Sequence, residues 1–310
     1  MTTKKDRAPK SGAFLSMRRK EALTGYLFVL PNLAGTLIFV VLPLVMTMVL
    51  SFSDWDFARG LDGLRFVKWE HYKAMFSDEK IRVALKNNLF FSFTQIPVTL
   101  VLALLLSSVL HKYVFFKSAL RTIYFVPFIT SWVAVSLVFK ALFEPEAGPV
   151  NNLLRAIGFS DPPGWFVDKN WAMISIILMT IWHTFGYYIV ILLAGMQSIS
   201  RELYEAAEID GANTVVKYFR ITLPLLTPSL FFILVVSMIN SLKVFDQVAV
   251  ATQGGPGISS YVLVYTVYDY AFQFFDMGYA SAIAWLLFLV ILAFTLLQWQ
   301  LQKKWVYYDV

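Results

Sequence analysis

Apolar and polar residues fall in long blocks along this chain. Residues 22–53, 87–110, 122–139, 170–200, 221–242 and 277–302 contain no Asp, Glu, Lys or Arg, and each reaches the ~18–20 residues with which a helix crosses the hydrocarbon core. Six transmembrane helices are predicted. The first block is too long for a cleavable signal and lacks a small-residue cleavage site behind a short apolar core. A further apolar stretch, 247–268, is interrupted by Gln253-Gly254-Gly255-Pro256-Gly257, which would break a lipid-facing helix. It reads instead as the end of the fifth span near residue 252, a glycine-rich external turn, and a partly exposed amphipathic helix from about 261 to 276. Residues 66–84 mix aromatics with charges and read as another helix lying at the membrane interface.

With 58% hydrophobic and 15% charged residues over 310 positions, the chain carries more apolar surface than one water-soluble core would bury, so a bilayer is its solvent. The fold class is an all-α integral membrane protein. Lysine and arginine set the orientation. Lys4, Lys5, Arg7, Lys10, Arg18, Arg19 and Lys20 crowd the N-terminus, Lys112, Lys117 and Arg121 follow the second span, and Lys303 and Lys304 follow the sixth. These places belong in the cytoplasm. The loop 144–170 sets Glu144, Glu146, Asp161 and Asp168 against Arg155 and Lys169, as expected outside. Residues 1–20 are thus read as a flexible basic cytoplasmic tail and 21–310 as the transmembrane domain, with both termini inside. The net charge of +6 is topology charge and implies no nucleic-acid partner. Cysteine is absent, which removes disulfides and thiolate metal sites.

One cytoplasmic segment, 201–224, interrupts the apolar blocks. Leu203, Ala206, Ala207 and Asp210 recur at helical spacing, with Glu202, Glu205 and Glu208 mostly on other faces. Gly211 can close this short helix in the left-handed conformation. Asn213 or Thr214 can cap a second short helix through Phe219, and Pro224 and Pro228 restart the chain into the membrane. Lipid cannot hold two charged helices, so they must meet protein or water.

The chain encodes no G-x-x-x-x-G-K-[ST] phosphate loop, and its three histidines, His71, His111 and His183, stand on unrelated segments. Nucleotide hydrolysis, metal ligation and triad catalysis therefore find no constellation here, and an integral-membrane enzyme is disfavoured. Polar groups inside spans point to a solute site. Lys243 and Asp246 lie late in the fifth span, three residues apart and so neighbours on one helical face, where they can neutralise each other. Asn240 and Ser241 precede them, and the fourth span offers Trp182, His183, Thr184, Tyr187 and Tyr188. Sugars, with apolar ring faces edged by hydroxyls, need this mixture of aromatic platforms and hydrogen-bonding groups. An ion-driven secondary transporter, with Lys243, Asp246 and His183 relaying protons, is the alternative reading; His183 also reads as a packed, cavity-lining group.

The run Glu205-Ala206-Ala207, Gly211, nine residues, Ile221, any residue, Leu223-Pro224 resembles the EAA loop of bacterial binding-protein-dependent ABC transporter permeases. HYKAMFSDEKIRVALKNNLFFS at 71–92, RTIYFVPFITSWVAVSLVFKALFEPEAGPVNNLL at 121–154 and LKVFDQVAVATQGGPG at 242–257 resemble signatures of the sugar-importing branch that holds the maltose and glycerol-phosphate permeases. Gln253 departs from that pattern, where a small residue is expected. The resemblance implies a permease subunit of a bacterial or archaeal cytoplasmic membrane, forming half of the pathway for a sugar or oligosaccharide. It implies a second related permease, two ATPase subunits that hold ATP and Mg, and an extracytoplasmic substrate-binding protein, with no cofactor on this chain. It also implies that the loop forms coupling helices seated in a cleft of the ATPase, through Glu205, Ala206, Ala207, Asp210 and Gly211. Sugar contacts are implied at Trp182, Thr184 and Tyr187 on the fourth span and at Asn240, Lys243, Val244, Phe245 and Asp246 on the fifth.

Overall fold

The computed structural model describes residues 11–55, 63–113 and 117–307. Lys4, Lys5, Arg7 and Lys10 lie outside the described residues, as do the side chains of Arg18, His111, Lys112, Lys117 and Arg121. From the N-terminus, α1 (Ser11–Thr36) runs through a π turn (Leu37–Val41) into α2 (Leu42–Leu50). Strands β1 (Ser53–Asp54) and β2 (Arg65–Phe66) form a short antiparallel ladder with Ser53 opposite Phe66. Then follow α3 (Glu70–Ser77), α4 (Glu79–Tyr113), α5 (Lys117–Ile129), α6 (Trp132–Leu142), α7 (Pro149–Ala156) and α8 (Ala172–Ser198). The 201–224 segment holds α9 (Arg201–Ile209) and α10 (Thr214–Lys217), which passes through a π turn (Tyr218–Thr222) into α11 (Leu223–Leu225). The chain ends with α12 (Thr227–Leu242), α13 (Asp246–Ala251), α14 (Leu263–Tyr268) with its π extension (Asp269–Gln273), and α15 (Met277–Gln302).

Four stretches are long and apolar enough to cross a membrane unbroken: Arg19–Leu50, Glu79–Leu110, Ala172–Ser198 and Met277–Gln302. Two bent pairs, Thr122–Ile129 with Trp132–Leu142 at 101° and Thr214–Leu225 with Thr227–Leu242 at 58°, bring the number to six. The predicted blocks are thus recovered, but the third is not a straight rod. α5 runs past Pro127 to Ile129, and Ser131 then leaves the helical region (φ −58°, ψ 135°).

Other boundaries differ from expectation. The helix of the first span already begins at Ser11, inside the segment read as a flexible tail, because residues 11–20 contain no proline and several good helix formers. Residues 66–84 do not make one helix: α3 stops at Ser77, Asp78 is extended, and its Oδ1 caps the next helix through Lys80 N at 2.8 Å. The fifth span ends at Leu242, ten residues short of the expected 252, and α13 fills part of the gap. Gln253, in the glycine-rich turn, adopts φ 53°, the left-handed region that favours the small residue expected there.

Packing centres on α4 and α8. Ala103 and Leu110 of α4, Ile189, Leu192 and Met196 of α8, and Leu230 and Ile233 of α12 form one buried cluster. Gly186 sets the approach of the third span: a Cβ there would stand 1.7 Å from the Tyr124 carbonyl oxygen of α5. The elbow between α3 and α4 is tied to that between α14 and α15. Lys80 Nζ lies 3.1 Å from Asp269 Oδ2 and over the rings of Tyr261, Tyr270 and Phe274, while Tyr270 and Tyr279 donate to Asp78 Oδ2 at 2.8 and 2.9 Å. Burial and the Asp78 carboxylate push the Tyr270 phenol well above its ordinary pKa.

Gly186→Ala should lower the thermal stability of the purified protein by about 1–3 kcal/mol, the usual range for overpacking, with the opposing backbone forced apart. Gly35→Ala, where nothing lies within 4 Å, should leave the unfolding temperature in the same detergent unchanged. Equal stability of the two variants would contradict the close helix contact.

Candidate functional site

The two span breaks, at 130–131 and 243–245, face one cavity of about 510 Å³. At the first, the Thr130 carbonyl accepts a hydrogen bond from His183 Nε2 at 3.0 Å. A carbonyl only accepts, so Nε2 carries the hydrogen and Nδ1 is the bare acceptor; Nδ1 is buried without a partner among the described residues. The imidazole stacks on Trp132 with ring centroids 3.7 Å apart. One turn further along α8, Tyr187 stacks on Phe128 at 4.3 Å and 7°. Between them Gln95 of α4 donates to Thr99 Oγ1 at 3.0 Å and Thr184 Oγ1 at 3.2 Å.

At the second break, α12 ends at Leu242, Phe245 leaves the helical region (φ −144°, ψ −63°) and Asp246 opens α13. Lys243 and Asp246 therefore do not share a helical face as expected. No ion pair joins them among the described residues, and both are exposed. The physical reason is the break: the Leu242 carbonyl meets the side chain of Asn88 rather than a following helical turn, and the Ser241 carbonyl is shared between Asn88 and Val244 N.

Of the residues singled out in the sequence, Thr184, Tyr187, Asn240, Lys243, Val244, Phe245 and Asp246 all line the cavity. Trp182 does not; it packs on Phe139 with centroids 5.3 Å apart and is 44% exposed. His183 lines the cavity as well. Sequence reasoning missed Gln95, Phe128 and Trp132. Gln95 carried a signal, since it is the one glutamine in a charge-free block; the aromatics of the third span carried none without the bend.

The 201–224 motif is a tight helical hairpin. Ser200 Oγ accepts from Glu202 N at 3.3 Å and opens α9. Gly211, at φ 76°, closes it: Gly211 N bonds to Glu208 O at 3.0 Å and Ala212 N to Ala207 O at 2.8 Å, the paired bonds of a Schellman ending. Asn213 Oδ1 accepts from Val216 N at 2.9 Å and caps the next helix. That helix does not stop at Phe219 as expected but runs on through the π turn Tyr218–Thr222 to Leu225. Lys217 Nζ to Glu208 Oε1 at 2.6 Å and Tyr204 OH to Thr222 Oγ1 at 2.8 Å bind the two arms together. Glu205 pairs with Arg201 at 2.9 Å on an exposed face, a contact that adds little stability. Ala206 and Asp210 are exposed, and Ala207 is half-buried. Ile209 is 88% exposed, beside exposed Leu203, Val215 and Phe219.

Among the described residues no group of three or more His, Asp or Glu could hold a metal. The family model of the binding-protein-dependent transport system inner membrane component matches residues 95–306, a range that takes in the cavity and the hairpin. The lactose transport system permease protein of Rhizobium radiobacter is 34% identical over 294 residues, 93% of this chain and 97% of its own. The arabinooligosaccharides transport system permease protein of Bacillus subtilis is 34% identical over 301 residues, 95% of this chain and 93% of its own. Among solved structures, a chain of a bacterial ABC transporter involved in the import of the acidic polysaccharide alginate matches with a TM-score of 0.80 at 25% identity, over 94% of this chain and 98% of that one. Fold, hairpin and sequence agree, and the chain belongs to the inner membrane components of binding-protein-dependent transport systems, the permeases of ABC importers.

Proposed function

We propose that this chain forms half of the translocation pathway of a sugar or oligosaccharide importer, and that sugar is held in the cavity between the two broken spans. The observation that carries the reading is the cavity lining. It combines the Phe128–Tyr187 stack with Thr184, Asn240, Lys243 and Asp246, platforms for apolar ring faces beside donors and acceptors for hydroxyls. The relatives' transport of lactose and arabinooligosaccharides supports the sugar class. Membership of this family displaces the ion-driven alternative.

The remaining parts of the machine lie on other chains. The hairpin is the docking element for an ATPase that carries ATP and Mg; exposed Ile209 and Phe219 offer apolar anchors, and Glu202, Glu205 and Asp210 surround them with acid for a basic cleft. A second, related permease completes the pathway. In support, the most apolar window of the first span has no buried residue, and the mid-span amide of Asn32 has no partner among the described residues, a costly state in lipid that a neighbouring span would relieve. An extracytoplasmic binding protein delivers substrate, and both termini stay in the cytoplasm of a bacterial or archaeal cell. Outside, Glu144 is held below its ordinary pKa by the backbone N–H of Ala147 and then of Glu146, which keeps the acidic external loop charged.

Lys243→Met and Asp246→Leu should each raise the half-saturating sugar concentration for uptake about tenfold, at unchanged membrane abundance, as expected for one lost charge-assisted hydrogen bond. Because no ion pair links the two, the double variant should be worse than either. Uptake restored in the double variant would remove both residues from the site.

Coupling is tested at the hairpin. Ile209→Asp and Gly211→Asp should insert normally yet cut substrate-stimulated ATP hydrolysis by the reassembled transporter at least ~30-fold, the loss typical of a central interface anchor. Normal hydrolysis by both would refute docking through this face.

A further inference from the structure

We propose that Asn88 is a positioning residue: its buried amide holds the fifth span broken and so turns Lys243, Phe245 and Asp246 together toward the cavity. Its consequence for transport rests on reading that cavity as the sugar site.

Five consecutive residues, 243–247, line one cavity. A continuous helix cannot do this, since each residue turns by about 100° and Phe245 would face nearly opposite to Lys243. The break is therefore what gathers these side chains. It leaves the Leu242 carbonyl without a backbone N–H partner among the described residues and the Ser241 carbonyl with only a long one, from Val244 N at 3.4 Å, inside a span where water cannot replace them. Asn88, on α4, is 0% exposed. Its Nδ2 donates to Leu242 O at 3.2 Å and to Ser241 O at 3.4 Å, and its Oδ1 accepts from Leu263 N at 2.8 Å, in the opening turn of α14. Carbonyls only accept and an N–H only donates, so the amide has one possible orientation. One side chain thus serves the end of α12 and the start of α14. A turn further along α4, Ser92 Oγ lies 2.7 Å from Ser241 Oγ and fixes the register. Asn88 itself does not line the cavity; it acts through the backbone. The adjacent Asn87 makes two like bonds elsewhere, donating to Ser259 O and Tyr261 O at 2.9 Å each, on the external turn.

The chain has no cysteine, so single cysteines report position directly. Lys243→Cys, Phe245→Cys and Asp246→Cys, in the otherwise complete transporter in membrane vesicles, would be labelled with the cationic reagent 2-(trimethylammonium)ethyl methanethiosulfonate. All three should react. Asn88→Asp keeps the acceptor for Leu263 but sets an anionic oxygen against two carbonyls. In that background the rate at position 245 should fall about tenfold relative to 243, as the segment takes up helical phase. Asn87→Asp, which loses bonds of the same kind on the external turn, should leave the three relative rates unchanged. If Asn88→Asp does not reach the membrane, Asn88→Ser removes the amide without adding charge and carries the same comparison. Relative rates unaltered by the Asn88 substitution, or altered equally by Asn87→Asp, overturn the proposal. Uptake of radiolabelled lactose or arabinotriose, whichever the transporter imports, separates the two readings. A shifted labelling pattern with unchanged half-saturation upholds the clamp and refutes the sugar site.

Discussion

A polypeptide that breaks a helix inside hydrocarbon must find partners for the backbone groups it frees, because no water is present to take them. This chain breaks two spans, and each break is held by a side chain from a neighbouring unbroken span. His183 of α8 meets the Thr130 carbonyl, and Asn88 of α4 meets those of Ser241 and Leu242. The two clamps stand on the pair of helices that makes the centre of the fold, and Gly186 lets the third span come within backbone contact of that pair. The breaks therefore open toward a common space. A polar cavity in the membrane follows from where the spans are interrupted and from which helices hold them.

The same fifth span carries the helical hairpin at its other end. Local chemistry makes the hairpin stiff: Gly211 supplies the left-handed closure, Asn213 the next cap, and the Tyr204–Thr222 and Glu208–Lys217 contacts join arm to arm. Beyond it the chain bends by 58° at Leu226. The C-terminal segment grips that bend, through Tyr307 N to Thr227 Oγ1 at 2.9 Å and the packing of Trp305 on Phe231. Hairpin, bend, α12 and the upper break thus lie in series on one stretch of chain, with few soft joints between them.

What could be read from the sequence divides along the range of the interactions. The spans were legible because block length answers directly to bilayer thickness. The hairpin was legible because glycine closure and asparagine capping are decided within a few residues. The breaks were not. Pro31 and Pro97 also sit inside helices, and those helices pass through them. Pro127 marks a break only because His183, far along the chain, is there to hold Thr130. Lys243 and Asp246 looked like a helical pair because their spacing fits one, and Asn88, which takes the carbonyls just before them, lies more than one hundred and fifty residues upstream. Trp182 has the right residue type but the wrong face of α8. Side-chain chemistry was visible; the direction each group faces depended on partners that no local pattern reveals.

The separation of Lys243 from Asp246 decides what the two charges are able to do. Closed into an ion pair in a low-dielectric site, they would satisfy each other and leave few hydrogen-bond sites open to a solute. They stand at the ends of two different helices, exposed and with no ion pair between them among the described residues. On the proposed reading, a sugar hydroxyl would exchange for solvent there at nearly equal hydrogen-bond enthalpy, so binding would not first have to break a salt bridge. Apolar contact with the ring faces, at the Phe128–Tyr187 stack, would then supply the net attraction. A transport site has to release what it binds, and weak exchange at the charges combined with moderate stacking meets that need better than a buried, fully paired network would.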